Sequence, residues 1–214
     1  MPTIFVTGGT GYMGGQLIPQ LLQRGYKVRA LVRHGSQRKL PAGCEPVVGD
    51  ALDGSTYSGS VKGCSGFVHL VGVAHPSPAK GKQFREIDLV AARSAITAAT
   101  QASIEHFVYL SVAHPAPLMK TYIEVRTQAE QMLRESGMSA TILRPWYVLG
   151  PGHRWPYLLI PIYWLFGKIP ATRSGAERLG LVTLRQMTQA LVRAVESPAH
   201  GVRIVEVPAI RDPK

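Results

Sequence analysis

The chain has 214 residues, 45% of them hydrophobic and 17% charged, which is enough for one substantial core and argues against disorder or a collagen-like repeat. A formal net charge of +11 favours anionic partners, but the Lys and Arg are spread along the chain and no helix is dense in them, so nucleic acid is not expected. Cys44 and Cys64 stand alone, without a CxxC or a Cys/His cluster, so neither a disulfide framework nor a metal site is expected.

Met1-Pro2 leads directly into a strand-like run, no targeting peptide is visible, and a cytoplasmic location is expected. "TIFVTG" (3–8) is a short β-rich run ending in glycine. The next stretch, "GYMGGQLIPQLLQRG" (11–25), has Leu17, Leu21 and Leu22 at helical spacing and Gly25 as a stop. "YKVRALVR" (26–33) then reads as a second strand, completing a crossover of about thirty residues. The runs "EPVVGD" (45–50), "GFVHLVG" (66–72), "HFVYLSV" (106–112) and "ATILRP" (140–145) are further buried strands. Helical periodicity fills 83–103 and 118–137 between them. The alternation predicts an α/β fold: a Rossmann-type doubly wound parallel sheet with a small C-terminal substrate-side lobe. That lobe is expected at 146–180, which carries all three Trp and the Pro-interrupted apolar stretch "WPYLLIPIYWLFGKIP" (155–170), too broken to cross a bilayer. The remainder reads as a helix over 181–198 and a last strand, "GVRIVEV" (201–207). The whole of 1–214 is then a single domain, with 146–180 as an apolar insertion.

Gly8, Gly11 and Gly14 form G-x-x-G-x-x-G between the first strand and the first helix. Glycines there let the backbone approach a pyrophosphate, and the helix N-terminus attracts the anion. NAD-binding proteins usually place an acid about twenty residues further on, against the ribose 2′-hydroxyl. Here that place holds Arg33-His34, followed by Ser36 and Arg38, and the first acid of the chain is Glu45. A guanidinium grips a 2′-phosphate with paired hydrogen bonds, so NADP(H) is expected in preference to NAD(H).

"TGGTGYMG" (7–14), "LVR" (31–33), "VVGDALD" (47–53), "LSV" (110–112), "YIEVR" (122–126) and "ILRPWYVLGPG" (142–152) occur in the order seen in atypical short-chain dehydrogenases/reductases. The chain resembles that superfamily over essentially its whole length. It is most similar to the NAD(P)-binding group of NmrA-like regulators and the nucleotide-binding accessory subunit of respiratory complex I. The resemblance implies that Thr10, Gly11, Tyr12 and Met13 line the diphosphate and that Arg33 takes the 2′-phosphate. It places Asp50 and Ala51 by the adenine, Val71 and Gly72 by its ribose, and Pro145, Trp146, Tyr147 and Val148 beside the nicotinamide.

Reductases of the superfamily use a Tyr, a Lys four residues later and an upstream Ser. Tyr122 and Ser111 fit, but Arg126 stands at the Lys position. A guanidinium supplies the positive charge with a different shape and hydration. Lys120 would point away from Tyr122 on a regular helix. His69 reads as a core histidine, His75 and His114 as loop residues before Pro, and His153 as a residue on the nicotinamide side.

The expected function is hydride transfer between NADP(H) and a small apolar carbonyl or enone, with 155–166 forming the substrate wall. The alternative is a non-catalytic NADP(H)-binding redox sensor or assembly module, which Arg126 favours. Weak contact of Trp155, Trp164 and the basic surface with a membrane is a third expectation. The oligomeric state is not legible.

Overall fold

The structure is a computed structural model that describes residues 1–151, 175 and 178–212. Its first half runs β1 (Thr3–Thr7), α1 (Gly14–Gln23), β2 (Lys27–Val32), β3 (Glu45–Val48), a one-turn α2 (Ser58–Val61) and β4 (Gly66–His69). Next come α3 (Gly81–Gln83), a π-helical turn (Phe84–Leu89), α4 (Val90–Gln101), β5 (His106–Leu110), α5 (Lys120–Glu135) and β6 (Ala140–Arg144). β7 (Tyr147–Leu149), β8 (Leu181–Thr183), α6 (Leu184–Glu196), β9 (Val202–Glu206) and α7 (Val207–Arg211) complete the described elements.

Seven strands form one parallel sheet in the order β3-β2-β1-β4-β5-β6-β9. Parallel neighbours need crossovers, and these lay helices on both faces, so the central strands can be apolar throughout. In β1, Ile4, Phe5 and Val6 are all buried. One face packs Ile4 and Val6 against Leu17, Ile18 and Leu21 of α1 and Leu191 of α6. Each of those α1 side chains contributes roughly 1.5–3 kcal/mol by leaving water. The other face carries Phe5, Phe67 and Phe107 in register on β1, β4 and β5, against Ala95 of α4 and Leu133 of α5. Adjacent rings lie 5.1 and 5.0 Å apart. Two residues further along each strand, the same face carries Thr7, His69 and Tyr109, again in register.

The predicted α/β doubly wound sheet is present, with local corrections. Residues 181–198 are not one helix. Leu181–Thr183 pair with Tyr147–Leu149 as a separate two-stranded parallel ribbon, and the helix starts at Leu184. Thr183 caps it: its Oγ1 accepts from Gln186 N at 3.2 Å, while Gln186 Oε1 accepts from Thr183 N at 2.8 Å. The 83–103 helix begins with a π turn that rotates the following face. The segment after β9 forms α7, which the sequence reading did not include. Most of the expected 146–180 lobe, including His153, Trp155 and Trp164, lies outside the described residues. Among the described residues no helix is long and apolar enough to cross a membrane.

Candidate functional site

β1 pairs with β2 on one side and β4 on the other, and the chain order reverses there. Ligands of such sheets bind in the crevice beyond the strand C-termini at this switch point. A cavity of about 480 Å³ occupies that place.

The glycine turn forms one end. Gly8 has φ +76°, and a Cβ on it would stand 2.8 Å from the Leu70 carbonyl carbon. A Cβ on Gly14 would collide with Gly8 O and stand 2.6 Å from Gly9 Cα, because α1 begins hard against the turn. The turn is closed by Gly11 N donating to Gly8 O at 3.0 Å. Side chains are therefore excluded where an elongated anion would lie against the N-terminus of a ten-residue helix, and these residues fit a diphosphate.

Of the residues singled out by sequence, Gly8, Gly11, Tyr12, Met13 and Gly72 line the cavity. Ser111, Tyr122, Arg126 and Pro145–Val148 complete its far end. Thr10 is exposed, Gly14 is buried in the turn, and Val71 is half-buried beside Gly72. Arg33, Arg38, Asp50 and Ala51 are not among the lining residues. Arg33 directly follows β2, Asp50 and Ala51 follow β3, and Arg38 lies in the turn at Gln37–Lys39 between the two strands, with Arg33 and Arg38 exposed. Asp50 Oδ1 accepts from Leu52 N at 2.9 Å, and Glu45 pairs with Arg29 at 3.1 Å, so both of these acids have local partners. His75 is on the cavity lip, and His114 is half-buried behind it. Among the described residues no group of His, Cys, Asp and Glu could hold a metal ion.

The floor is built around Arg126, which is 4% exposed. Its Nη2 donates to Asp88 Oδ1 at 2.5 Å, and its Nη1 donates to Leu110 O at 3.0 Å and Tyr109 Oη at 3.3 Å. The guanidinium carbon lies 5.1 Å from the centre of the Tyr122 ring, within cation–π range. Burial alone would lower its pKa, but Tyr122, Tyr109 and Asp88 outweigh burial and leave it raised, so it stays charged. Asp88 is itself fully buried, and burial pushes its carboxyl up against the pull of Arg126 and of Val73 N–H, which donates at 3.0 Å. Gly72 must lack a side chain here too, since a Cβ would stand 2.5 Å from Arg126 Nη2. Arg126 Nε is buried with no hydrogen-bond partner among the described residues.

A second polar cluster lies behind Ser111. The buried Glu130 accepts from Ser111 Oγ at 2.6 Å, from Arg144 Nε at 3.0 Å and Nη2 at 2.5 Å, and from Arg134 Nη2 at 3.1 Å. His114 Nε2 is 3.6 Å away. Burial would raise the Glu130 pKa, but the bonds from Arg144 and Ser111 outweigh it and leave it lowered. His69 is the core residue its strand position suggested. Its Nδ1 is 2.8 Å from Thr7 Oγ1, and burial, with the charge of Arg126, holds its pKa down at about 3.

Asp88 and Glu130 escaped the sequence reading. Each had a weak signal: an acid on the apolar face of a helical run, with Glu130 two turns beyond Tyr122.

The model of a family described as NAD(P)H-binding matches residues 8–153. The ceramide reductase of Caulobacter vibrioides is 27% identical over 214 residues, covering 97% of this chain and 65% of that protein. The 4-hydroxy-2-methyl-3-oxo-4-farnesyl-3,4-dihydroquinoline-1-oxide ketoreductase of Stigmatella aurantiaca is 27% identical over 168 residues, covering 68% and 50%. The chain thus spans between half and about two thirds of the length of these curated relatives, at 50% and 65%. Among solved structures, Bordetella bronchiseptica WbmH in complex with NAD+ superposes with a TM-score of 0.72 at 21% identity, covering 96% of this chain and 75% of that one. The shared fold is the one the strand order describes.

Proposed function

The chain belongs to the NAD(P)H-binding family, and on that premise we propose that it is an NADP(H)-dependent oxidoreductase acting on a small apolar ketone or enone. The observation that carries this reading is one cavity in which the glycine turn, the Tyr122 phenol over a permanent cation and apolar walls meet. Leu70, Val73, Val112, Pro145 and Trp146 supply those walls. Arg33 just after β2 and Arg38 in the turn that follows, both exposed and with no acid before Glu45, support a 2′-phosphate. The two relatives are named as reductases of a ceramide and of a farnesylated ketone, which supports a hydrophobic carbonyl. Two free cysteines agree with a reducing, cytoplasmic setting.

When bound, the reduced nicotinamide supplies a hydride, carrying two electrons, to the carbonyl carbon. Tyr122 gives its phenolic proton to the carbonyl oxygen as the π electrons settle there, and water at the mouth returns a proton to Tyr122. Arg126 holds positive charge beneath the ring while the phenol is deprotonated. It stays charged throughout and relays no proton. Asp88 holds Arg126 in place.

The test is NADPH oxidation against a panel of apolar ketones and enones. Wild type should turn over at least one compound. Tyr122→Phe should lose about a hundredfold in turnover while still binding NADP(H). Tight binding with no turnover anywhere on the panel would overturn the catalytic reading and support the non-catalytic module.

A further inference from the structure

The contact between Ser111 and Glu130 decides which hydrogen bonds the site can offer. The two oxygens are 2.6 Å apart, and Glu130 is fully buried. The charged and titratable groups facing Glu130 are Arg144, Arg134 and His114, drawn from β6, α5 itself and the loop after β5. Two guanidinium groups donate to this carboxylate, which is thereby kept as an anion with no hydrogen of its own. The hydrogen between Ser111 Oγ and Glu130 Oε1 therefore belongs to the serine and points away from the cavity that Ser111 lines.

Ser111 has only one O–H, and it is spent. Toward a ligand it presents lone pairs, which repel a bare carbonyl oxygen and accept from an O–H or N–H. Arg126 commits three of its five N–H hydrogens to the floor, to Asp88, Leu110 O and Tyr109 Oη. Tyr122 is left as the phenolic donor beside an acceptor.

We propose that Glu130, acting through Ser111, sets the substrate class. The preferred ketone carries a hydroxyl next to its carbonyl, the hydroxyl donating to Ser111 Oγ while the carbonyl accepts from Tyr122. This rests on the reductase reading above and deepens it from an apolar carbonyl to an apolar hydroxyketone. Glu130 is a positioning residue, since it touches Ser111 and not the substrate. The reduction is unchanged in balance: hydride to carbon, proton from Tyr122 to oxygen, the hydroxyketone leaving as a vicinal diol.

Matched probes test it: 5-hydroxyoctan-4-one and octan-4-one differ only in the hydroxyl. The wild type with NADPH should show kcat/KM about tenfold higher for the hydroxyketone. The ratio should collapse to about one in Ser111→Ala. In Glu130→Gln the amide can donate to Ser111, its O–H is released toward the cavity, and the ratio should drop below one. Where Glu130→Gln fails to fold with Arg144 left only its Glu206 carboxylate, wild type and Ser111→Ala still decide. A second readout is dissociation constants of both probes in Tyr122→Phe with NADP+, where the hydroxyketone should again bind about tenfold more tightly. Equal or stronger preference for octan-4-one, no binding of either probe to that complex, or a ratio untouched by Ser111→Ala overturns the inference while the reductase reading stands. Absence of NADP(H) uptake by wild type in calorimetry removes both.

Discussion

Asp88→Asn removes one charge from a pair that water cannot rescue. The Asp88 side chain is 0% exposed and that of Arg126 5%, so solvent screening does not reduce the interaction. The amide keeps the shape, but its single oxygen can accept from Val73 N or from Arg126 Nη2 and not both, so a hydrogen bond is lost together with the charge. An uncompensated guanidinium at this depth costs about 3–5 kcal/mol, against total stabilities of roughly 5–15 kcal/mol. For a chain of this size the melting temperature should drop by about 6–20 °C. Thermal and urea unfolding of the single variant and of Asp88→Asn/Arg126→Met would measure it. The double variant should recover most of the loss, because no buried charge is then stranded. A single variant within about 1 kcal/mol of wild type, or a double variant as unstable as the sum of the singles, would refute the account of the floor as a charge-matched pair.

Two further outcomes are expected. The pKa of His69 is held at about 3 by burial and the charge of Arg126, and that of His106 at about 4 by burial and the charge of Arg203. Both folded values lie below the unfolded one, so their contribution is present above about pH 6.5 and is lost as the pH falls. Stability should decline by about 2 kcal/mol between pH 6 and pH 5, and His69→Gln should remove about half of that slope in urea titrations at each pH. Arg33→Asp should weaken NADP(H) binding by roughly 10–100-fold in calorimetry and bring NAD(H) to parity or better. Unchanged selectivity would move the phosphate contact elsewhere.

The strands and the first crossover were legible because continuous Val, Ile and Phe runs alternate with helical spacing, a local property. The glycine turn was legible for the same reason, its three glycines being fixed by close approaches within residues 8–14 and to β4. The boundary at Leu184 was missed because Leu181 and Val182 continue the apolar pattern of the helix. Only the Thr183–Gln186 capping pair marks the change. Asp88 and Glu130 were beyond local reading, since an acid on an apolar helical face makes sense only once its cation is known. Arg126 lies 38 positions from Asp88, and Arg144 lies on a different element from Glu130. The π turn that aims Asp88 inward likewise has no recognisable spacing in the sequence.

The column of Phe5, Phe67 and Phe107 sits one pleat below Thr7, His69 and Tyr109, whose phenol touches the guanidinium of the floor. Shaving or swelling any one of those benzyl groups should tilt the polar rung above it and displace Arg126 with it. Thermal endurance and ligand fit are in this way yoked to one another. A stabilised variant obtained by repacking these three rings would be selected, unintentionally, for a different appetite.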